Sequence, residues 1–179
     1  MKKVIVKVKL KNHEEFVKKL KDIGFEFSAI IWQHDRVSAP KEFRRGMNYP
    51  RIAMRTEMKA VDKPAKYLMI LKRHIEDSGV NVVDETVVKD YVEAVNIAQQ
   101  LGFRQMAEVS RRRQELVIDD GVKLYLDKVE NVPGFYAKLE SVVRDGEKIS
   151  AVFEDLEKTL KAFGATDIVD KPYFELLKK

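Results

Sequence analysis

Near its start the chain reads Lys3-Val4-Ile5-Val6-Lys7-Val8-Lys9-Leu10-Lys11, in which apolar and basic residues alternate almost without a break. Because successive side chains of a β-strand point to opposite faces, this pattern predicts a strand with one apolar and one basic face. The apolar face would pack on a core. The basic face would meet either water or a polyanion held inside a barrel, and these two alternatives lead to different functions.

The composition is typical of a globular protein, since 45% of the 179 residues are hydrophobic and 35% are charged. No segment approaches the roughly 18 apolar residues of a membrane-spanning helix, and the first residues lack the apolar core of a signal peptide. The absence of cysteine excludes disulfides and thiolate metal sites. We therefore expect a cytoplasmic protein with no membrane partner. The net charge of +5 is a mild bias towards anionic partners, and the oligomeric state stays open.

Periodicity along the chain predicts strands with a few helices. Beyond the first strand, further strands are expected over 25–36, 51–58, 67–73, 81–88, 104–118, 121–129 and 135–143. Helices are expected over 13–23, 90–101 and about 147–163, with a short terminal helix from Tyr173 to Leu177, and residues 37–49 are expected to form a basic loop. Asp119-Asp120-Gly121 is typical of a tight hairpin turn.

A weak internal repeat indicates how the strands are arranged. Strand, polar turn, helix and Gly-Phe occur in that order over 4–25 and again over 82–103. Two similar halves are an economical way to close an antiparallel barrel, which removes exposed strand edges. No linker separates the halves, so we predict a single domain over residues 1–179, of the α+β class with an antiparallel barrel.

Several predicted strands carry charged residues two or four positions apart, which places their side chains on one face. These residues are Arg51 with Arg55, Arg111 with Arg113, Lys123 with Asp127, and Lys138 with Glu140, while Lys72 stands alone at the end of an apolar strand. For any single strand, a solvated sheet face explains the pattern. Across five or six strands, a barrel with a basic lumen explains all of them, and such a lumen needs an anion because buried like charges without partners are costly. Phosphate suits best, since Arg offers bidentate hydrogen bonds and Lys a compact charge.

Three stretches in the second half of the chain carry a resemblance to a known family. They are Arg111-Arg112-Arg113, Val122-Lys123-Leu124-Tyr125-Leu126-Asp127-Lys128-Val129 and Pro133-Gly134-Phe135-Tyr136-Ala137-Lys138-Leu139-Glu140. They resemble the basic-x-basic, Leu-Asp-x-Val and Gly-x-Phe-x-Glu-x-Glu strands of the CYTH domain, which is named for class IV adenylyl cyclases and thiamine triphosphatases and belongs to the triphosphate tunnel enzymes. Gln33-His34-Asp35 resembles the family's second strand and residues 171–177 its terminal Ser-Tyr-x-x-Leu-Leu, so the resemblance runs over nearly the full length.

The resemblance implies an eight-stranded antiparallel β-barrel, or tunnel, with helices packed outside. In such a tunnel Arg and Lys bind a triphosphate while acidic residues hold Mg²⁺ or Mn²⁺. Carried over to this sequence, the triphosphate-binding residues are Lys7, Arg51, Arg55, Lys72, Arg111 and Arg113. Asp127 corresponds to an acid beside the metals and is the catalytic candidate. With water as nucleophile the activity would be that of a triphosphatase, and with the ribose 3′-hydroxyl of ATP that of an adenylyl cyclase.

The sequence departs from the family at the metal-binding acids. The family begins with Glu-x-Glu-x-Lys, but here Lys3 and Ile5 stand at the two glutamate positions and only Lys7 is kept. Two later Glu-x-Glu motifs keep one acid each, Glu85 and Glu140. The candidate metal ligands are therefore Glu85, Glu140 and Asp127.

Lysines replace acids at two of these positions, Lys3 and Lys138. Divalent cations such as Mg²⁺ need several oxygen ligands, and this site has fewer acids and more positive charge. We therefore hypothesise that Lys3 and Lys138 join the binding residues, and that the tunnel binds ATP, thiamine triphosphate or tripolyphosphate without metal. Metal-dependent cyclase or triphosphatase activity is the competing hypothesis.

Two further functions stay open. The barrel could have lost its lumen chemistry and act as a scaffold, or the basic runs Arg44-Arg45 and Arg111-Arg112-Arg113 could form a nucleic-acid patch. Against nucleic acid, the aromatic residues do not interleave with these arginines as stacking platforms do. The three histidines are scattered without metal-site spacing, although His34 could face the lumen. Trp32 is expected to serve in core or sheet packing.

Overall fold

The computed structural model describes residues 2–44, 49–60, 62–74 and 80–177. The elements in these ranges are β1 (Lys2–Leu10), α1 (His13–Asp22), β2 (Ile31–Pro40), β3 (Arg51–Met58), β4 (Lys66–His74), β5 (Val80–Val87), α2 (Tyr91–Gln100), β6 (Phe103–Asp119), β7 (Val122–Val129), β8 (Phe135–Val142), α3 (Ile149–Ala162), β9 (Asp167–Ile168) and α4 (Tyr173–Leu176). The α+β class is confirmed, and most element bounds lie close to their predicted positions.

The eight longer strands form a closed antiparallel barrel. Neighbouring strands follow the order β5-β4-β3-β2-β6-β7-β8-β1, and β1 pairs back with β5, where Lys2 lies opposite Val82. Strand β9 adds a two-residue pairing to β1, with Ile168 opposite Val8. Closure leaves no long unpaired strand edge among the strands that the structure describes. The predicted eight-stranded barrel is therefore confirmed.

The apolar face of β1 points outward, against the helices. One buried cluster contains Val4, Val6, Val8 and Leu10 of β1, Phe16 and Leu20 of α1, and Leu156 and Leu160 of α3. The alternate residues of β1, which include Lys3, Ile5 and Lys7, therefore face the interior of the barrel. The basic face of β1 therefore lines the interior of the barrel.

The other helices cover different parts of the barrel. Helix α2 packs on the outer face of β3, in a cluster that includes Met54 and Val95. Helix α4 places Phe174 in a cluster with Val109 and Val129, which come from β6 and β7. Among the residues that the structure describes, no helix is long and apolar enough to cross a membrane.

Local signals explain where these elements begin and end. The Oδ1 atom of Asn12 accepts the backbone N–H of Glu15 at 3.1 Å, and the Oδ1 atom of Asp90 accepts that of Glu93 at 2.9 Å. These contacts cap the first turns of α1 and α2. Gly121 has a φ of 81° in the turn between β6 and β7, as the Asp-Asp-Gly sequence predicts.

The second strand differs from its prediction. It begins at Ile31 rather than at residue 25, and it continues to Pro40, into the range predicted as a basic loop. Phe25 and Phe27 alternate as strand residues do, but they pack against the outer apolar cluster ahead of β2. Residues 45–48 of the predicted loop lie outside the described residues.

Candidate functional site

The eight predicted anion-binding side chains all lie on the inner face of the barrel. They are Lys3 and Lys7 from β1, Arg51 and Arg55 from β3, Lys72 from β4, Arg111 and Arg113 from β6, and Lys138 from β8. Strand register establishes this, because directly opposed residues share a face, as Lys7 does with Lys138 and Arg51 with Lys72. The structure therefore brings together the whole predicted set.

Asp35 organises two of the arginines. The Nε and Nη2 atoms of Arg55 donate to its two carboxylate oxygens at 2.6 and 3.0 Å, and Nη2 of Arg111 donates to Oδ2 at 2.8 Å. Arg111 is also held by Gln33, whose Oε1 accepts its Nε–H at 2.9 Å. Burial alone would raise the pKa of Asp35, but the charges of Arg111 and Arg55 outweigh it and hold the pKa far below its usual range.

Asp127 organises the third arginine. The Nε and Nη2 atoms of Arg113 donate to its two oxygens at 2.7 and 2.6 Å, and the Tyr173 hydroxyl donates to Oδ2 at 2.8 Å. Asp127 is 0% exposed. Burial would raise its pKa, but the charge of Arg113 lowers it to about 2. Burial and the neighbouring Asp127 raise the pKa of Tyr173, which therefore stays a protonated donor.

Glu140 lies between two lysines. Its Oε1 is 2.7 Å from the Nζ of Lys3, and its Oε2 is 2.7 Å from the Nζ of Lys138. The three side chains are 12%, 22% and 13% exposed, in the order Glu140, Lys3, Lys138. Burial would raise the pKa of Glu140, but the charges of Lys138 and Lys3 hold it far below its usual range. The carboxylate is therefore ionised, and each of its oxygens contacts an ammonium group.

Three of the eight predicted binding side chains have no carboxylate within ion-pair distance among the described residues: Lys72, Lys7 and Arg51. The ammonium group of Lys72 makes no hydrogen bond there, and burial together with the charges of Lys138 and Arg55 lowers its pKa well below the usual value. The Nζ of Lys7 donates to the backbone oxygen of Lys171, and burial and Lys138 lower its pKa to about 8. The guanidinium of Arg51 lies 5.5 Å from the ring centre of Phe174.

The three paired arginines keep part of their hydrogen-bonding capacity. Arg55, Arg111 and Arg113 each use Nε and Nη2 for their fixed contacts. Within the part of the chain that the structure describes, none of their Nη1 atoms has a hydrogen-bond partner. Each guanidinium is therefore aligned by a carboxylate or amide on one side and able to donate on the other.

The predicted metal ligands are not arranged as a metal site. Both oxygens of Asp127 and of Glu140 accept from protein donors, and Glu85 is exposed opposite the apolar Ile70. No group of three or more acidic or histidine side chains within the described ranges could hold a metal ion. Hard cations need several free oxygen ligands, so this donor set does not fit Mg²⁺ or Mn²⁺. The metal that the resemblance implies stays a prediction.

The outer face of β2 differs from the inner one. Trp32 is 51% exposed there, and the guanidinium of Arg112 lies 5.7 Å from its ring centre. His34 shares this outer face, and its Nδ1 is 2.9 Å from the hydroxyl of Ser110. These residues border a groove of about 720 Å³ outside the barrel. Of the two expectations for Trp32, core or sheet packing, the second holds, because Trp32 packs against Arg112 on the outer face of the sheet. His34, which could have faced the lumen, lies on the same outer face because it alternates with Asp35.

Sequence reasoning also missed some residues of the inner face. Asp35 entered only as part of a family-like stretch, and neither Gln33 nor Tyr173 was a site candidate. The available signal for Asp35 was its two-residue spacing from Gln33, which places both side chains on one face of a strand. No sequence signal links Tyr173 to Asp127, which lies 46 positions earlier.

Comparison with known proteins adds relatives of similar length. No protein-family model matches the sequence. The chain is 26% identical over 179 residues to a Methanocaldococcus jannaschii protein named "Putative adenylate cyclase MJ0240", with 97% of each chain covered. The Pyrococcus horikoshii protein PH1819 has a TM-score of 0.83 and 21% identity over 97% of each chain. The Hippeastrum protein HpAC1, described as a "putative adenylyl cyclase" that "reveals a dominant" triphosphatase activity, has a TM-score of 0.63 and 16% identity over 98% of this chain and 94% of that one.

The architecture and these similarities agree. The barrel closes through eight antiparallel strands, and its likeness to these three proteins, one named a putative adenylate cyclase and one described with a triphosphatase activity, extends over nearly the full chain. The sequence resemblance to CYTH domains is therefore confirmed, and the chain has the CYTH-type triphosphate tunnel fold.

Proposed function

We propose that the interior of the barrel binds a small anion that contains a triphosphate or polyphosphate chain, such as ATP, thiamine triphosphate or tripolyphosphate. The observation that carries this proposal is Lys72. It is an inner lysine with no described carboxylate within ion-pair distance, and burial together with the charges of Lys138, Arg55 and Arg111 outweighs the more distant Asp35 and lowers its pKa. An ammonium group in such a place is costly unless an anion joins it.

The neighbours of Lys72 suit a phosphate chain. Lys7 and Arg51 also lack a carboxylate partner, and the paired arginines keep Nη1 donors. A phosphate chain offers many acceptor oxygens along its length, so several separate donors can bind it at once. Because the arginines are already aligned by Asp35 and Asp127, less side-chain freedom is lost on binding.

The relatives support the same class of ligand. The Methanocaldococcus jannaschii protein carries a cyclase name and the Hippeastrum protein a triphosphatase activity, and both activities act on triphosphates. The geometry supports binding more directly than turnover. Asp127, the catalytic candidate, accepts hydrogen bonds on both oxygens, so a metal or a nucleophile would have to share it with Arg113 and Tyr173.

The nucleic-acid alternative receives less support. Arg111 and Arg113 point into the barrel and are engaged by acids, and of the triple-arginine run only Arg112 faces outward. The run therefore does not present a continuous basic patch of the kind that contacts successive phosphates.

Calorimetric titration of tripolyphosphate and ATP into the protein tests the proposal. We expect binding by the wild type and a loss of at least about ten-fold in affinity for Lys72→Met, the effect of one charged contact. Lys18→Met is the matched control, because it removes the same charge from an exposed position on α1. Absence of binding by the wild type, or equal affinity of wild type and Lys72→Met, would overturn the proposal.

A further inference from the structure

Resting on the proposed function, we infer that the tunnel binds its anion free of divalent metal, and that Lys3 and Lys138, held by Glu140, supply the positive charge there. The inference concerns the form of the ligand: an uncomplexed phosphate chain rather than its magnesium complex. Glu140 then serves as an internal counter-ion, not as a metal ligand.

The contacts of Glu140 are the first support. Two ammonium groups lie 2.7 Å from its two oxygens, one on each. They come from β1 and β8, which are paired neighbours, and Glu140 itself lies opposite Ile5 of β1. A divalent cation at this carboxylate would lie within a few ångströms of two positive charges, in a part-buried site where water screens them weakly.

Two other inner acids give the second support. Asp35 and Asp127 each accept a two-point contact from an arginine and a further hydrogen bond, from Arg111 and Tyr173 respectively. A metal could bind either acid only after these charge-assisted bonds had broken and left a buried guanidinium unpaired. That loss is among the most costly single changes inside a protein.

The position of Lys138 connects this cluster to the proposed binding site. Lys138 lies directly opposite Lys7 on the paired strands β8 and β1, and its charge also acts on Lys72. Glu140 forms an ion pair with Lys138 at 2.7 Å and so places a negative charge beside the entering anion. Removing that negative charge should therefore strengthen anion binding, whereas removing a metal ligand should weaken it.

Magnesium gives a second contrast between the two hypotheses. Free Mg²⁺ binds triphosphates in solution, so it competes with a tunnel that takes the uncomplexed chain and lowers the apparent affinity. A tunnel that uses the metal as a bridge would instead bind more tightly when Mg²⁺ is added.

The test is calorimetric titration of tripolyphosphate, in EDTA and then in excess Mg²⁺, into the wild type, Glu140→Gln and Lys3→Met. In EDTA we expect wild-type binding, about ten-fold tighter binding by Glu140→Gln and about ten-fold weaker binding by Lys3→Met, each equivalent to ~1.4 kcal/mol. Excess Mg²⁺ should weaken binding by all three. Glu154→Gln, on the exposed side of α3, removes the same charge and should bind as the wild type does.

The outcomes separate this inference from the proposed function. Binding that needs Mg²⁺ or Mn²⁺, or that is lost in Glu140→Gln, overturns the inference and leaves the proposed function in place. Absence of binding under both conditions overturns the proposed function as well. Lys3→Met is a second, independent test in case Glu140→Gln does not fold. Unchanged or tighter binding by a folded Lys3→Met protein would also overturn the inference. Thermal unfolding of each variant establishes that it is folded.

Discussion

The inner wall of the barrel differs between its two sides. On β1, β6, β7 and β8 the inner face is charged, and its acids and bases form the contacts around Asp127 and Glu140. On β3, β4 and β5 the same face carries an apolar cluster of Ala53, Leu68, Ile70 and Val83 beside three basic side chains. On the charged side, carboxylates hold Lys3, Lys138 and Arg113. On the apolar side Asp35 of β2 holds Arg55, but no described carboxylate lies within ion-pair distance of Lys72, which lies opposite Val83.

This contrast indicates a division of labour. Apolar surroundings lower the local dielectric constant, so a charge at their edge interacts more strongly with a bound anion than it would in water. We therefore expect the charged side to fix the positions of the arginines and the apolar side to make Lys72 effective. Variants on each side should separate stability from anion affinity.

The largest expected effect breaks the charged side. Asp127→Ala leaves the buried guanidinium of Arg113 and the hydroxyl of Tyr173 without their partner. We expect the free energy of unfolding of the ligand-free protein to fall by about 3–5 kcal/mol, measured by urea denaturation. Asp120→Ala is the control, since it removes an ion pair with Arg144 that lies in solvent, and it should change stability little. An equal loss in both variants would show that burial of the Asp127 pair does not matter.

The next effect concerns the apolar side. Ile70 is 1% exposed, and Ile70→Ala should lower the free energy of unfolding by about 2–4 kcal/mol through the cavity it leaves. Because no charge changes, the affinity of the folded variant for tripolyphosphate should stay within about two-fold of the wild type, a difference of less than ~0.5 kcal/mol. The measurement pairs urea denaturation with calorimetry. A ten-fold loss of affinity would contradict the division between the two sides.

A smaller effect of opposite sign is expected at the boundary. Lys72→Met replaces an ammonium group without a counter-ion by an apolar side chain of similar length, so it should stabilise the ligand-free protein by about 1–2 kcal/mol. The same variant is expected to lose anion affinity. Lys72 would then be a residue that lowers the stability of the ligand-free protein and raises its affinity for the anion. Thermal unfolding without ligand measures the first effect, with Lys18→Met as control. A lower Tm for Lys72→Met would show that the ammonium group has a stabilising partner.

Much of this wall could be predicted from strand periodicity. Charges two residues apart, as in Arg111 and Arg113, fixed which side chains share a face, and repetition over several strands favoured a barrel. The packing of helices on the outside of the barrel could be predicted equally well. Helices α1 and α3 carry apolar residues at helical spacing, and these match the apolar face of β1.

The pairing within the wall could not be predicted, because it depends on strand register. Asp35 reaches both Arg55 and Arg111, which are 20 and 76 positions away. The role of Glu140 was likewise out of reach, since a carboxylate can hold a metal or an ammonium group and only its neighbours decide. The position of His34 depended in the same way on which face of β2 turns inward. Asp35 points into the barrel, so its neighbour His34 lies on the outer face.

The smallest expected effect is a pH dependence of the free energy of unfolding, which arises because the pKa of Lys7 differs between the folded and unfolded chains. Burial and Lys138 lower the pKa of Lys7 from 10.5 to about 8 in the folded protein. Between these two values the unfolded chain binds more protons, so the contribution of Lys7 to stability rises as the pH increases from 8 to 10. Anion binding has the opposite sign. It requires the charged ammonium, so affinity should fall above pH 8, by at most about ten-fold per pH unit for one proton.

Lys7→Met isolates this contribution, because the other titrating groups remain. Urea midpoints and tripolyphosphate affinities at pH 7.5, 8.5 and 9.5 should show a steeper rise in stability and a steeper fall in affinity for the wild type than for the variant. Equal slopes in the two proteins would mean that Lys7 does not titrate in this range. In that case the negative charges of the charged side would compensate the charge of Lys7 as they do those of Lys3 and Lys138. Lys72 and Arg51 would then be the predicted binding residues whose charges only a bound anion compensates.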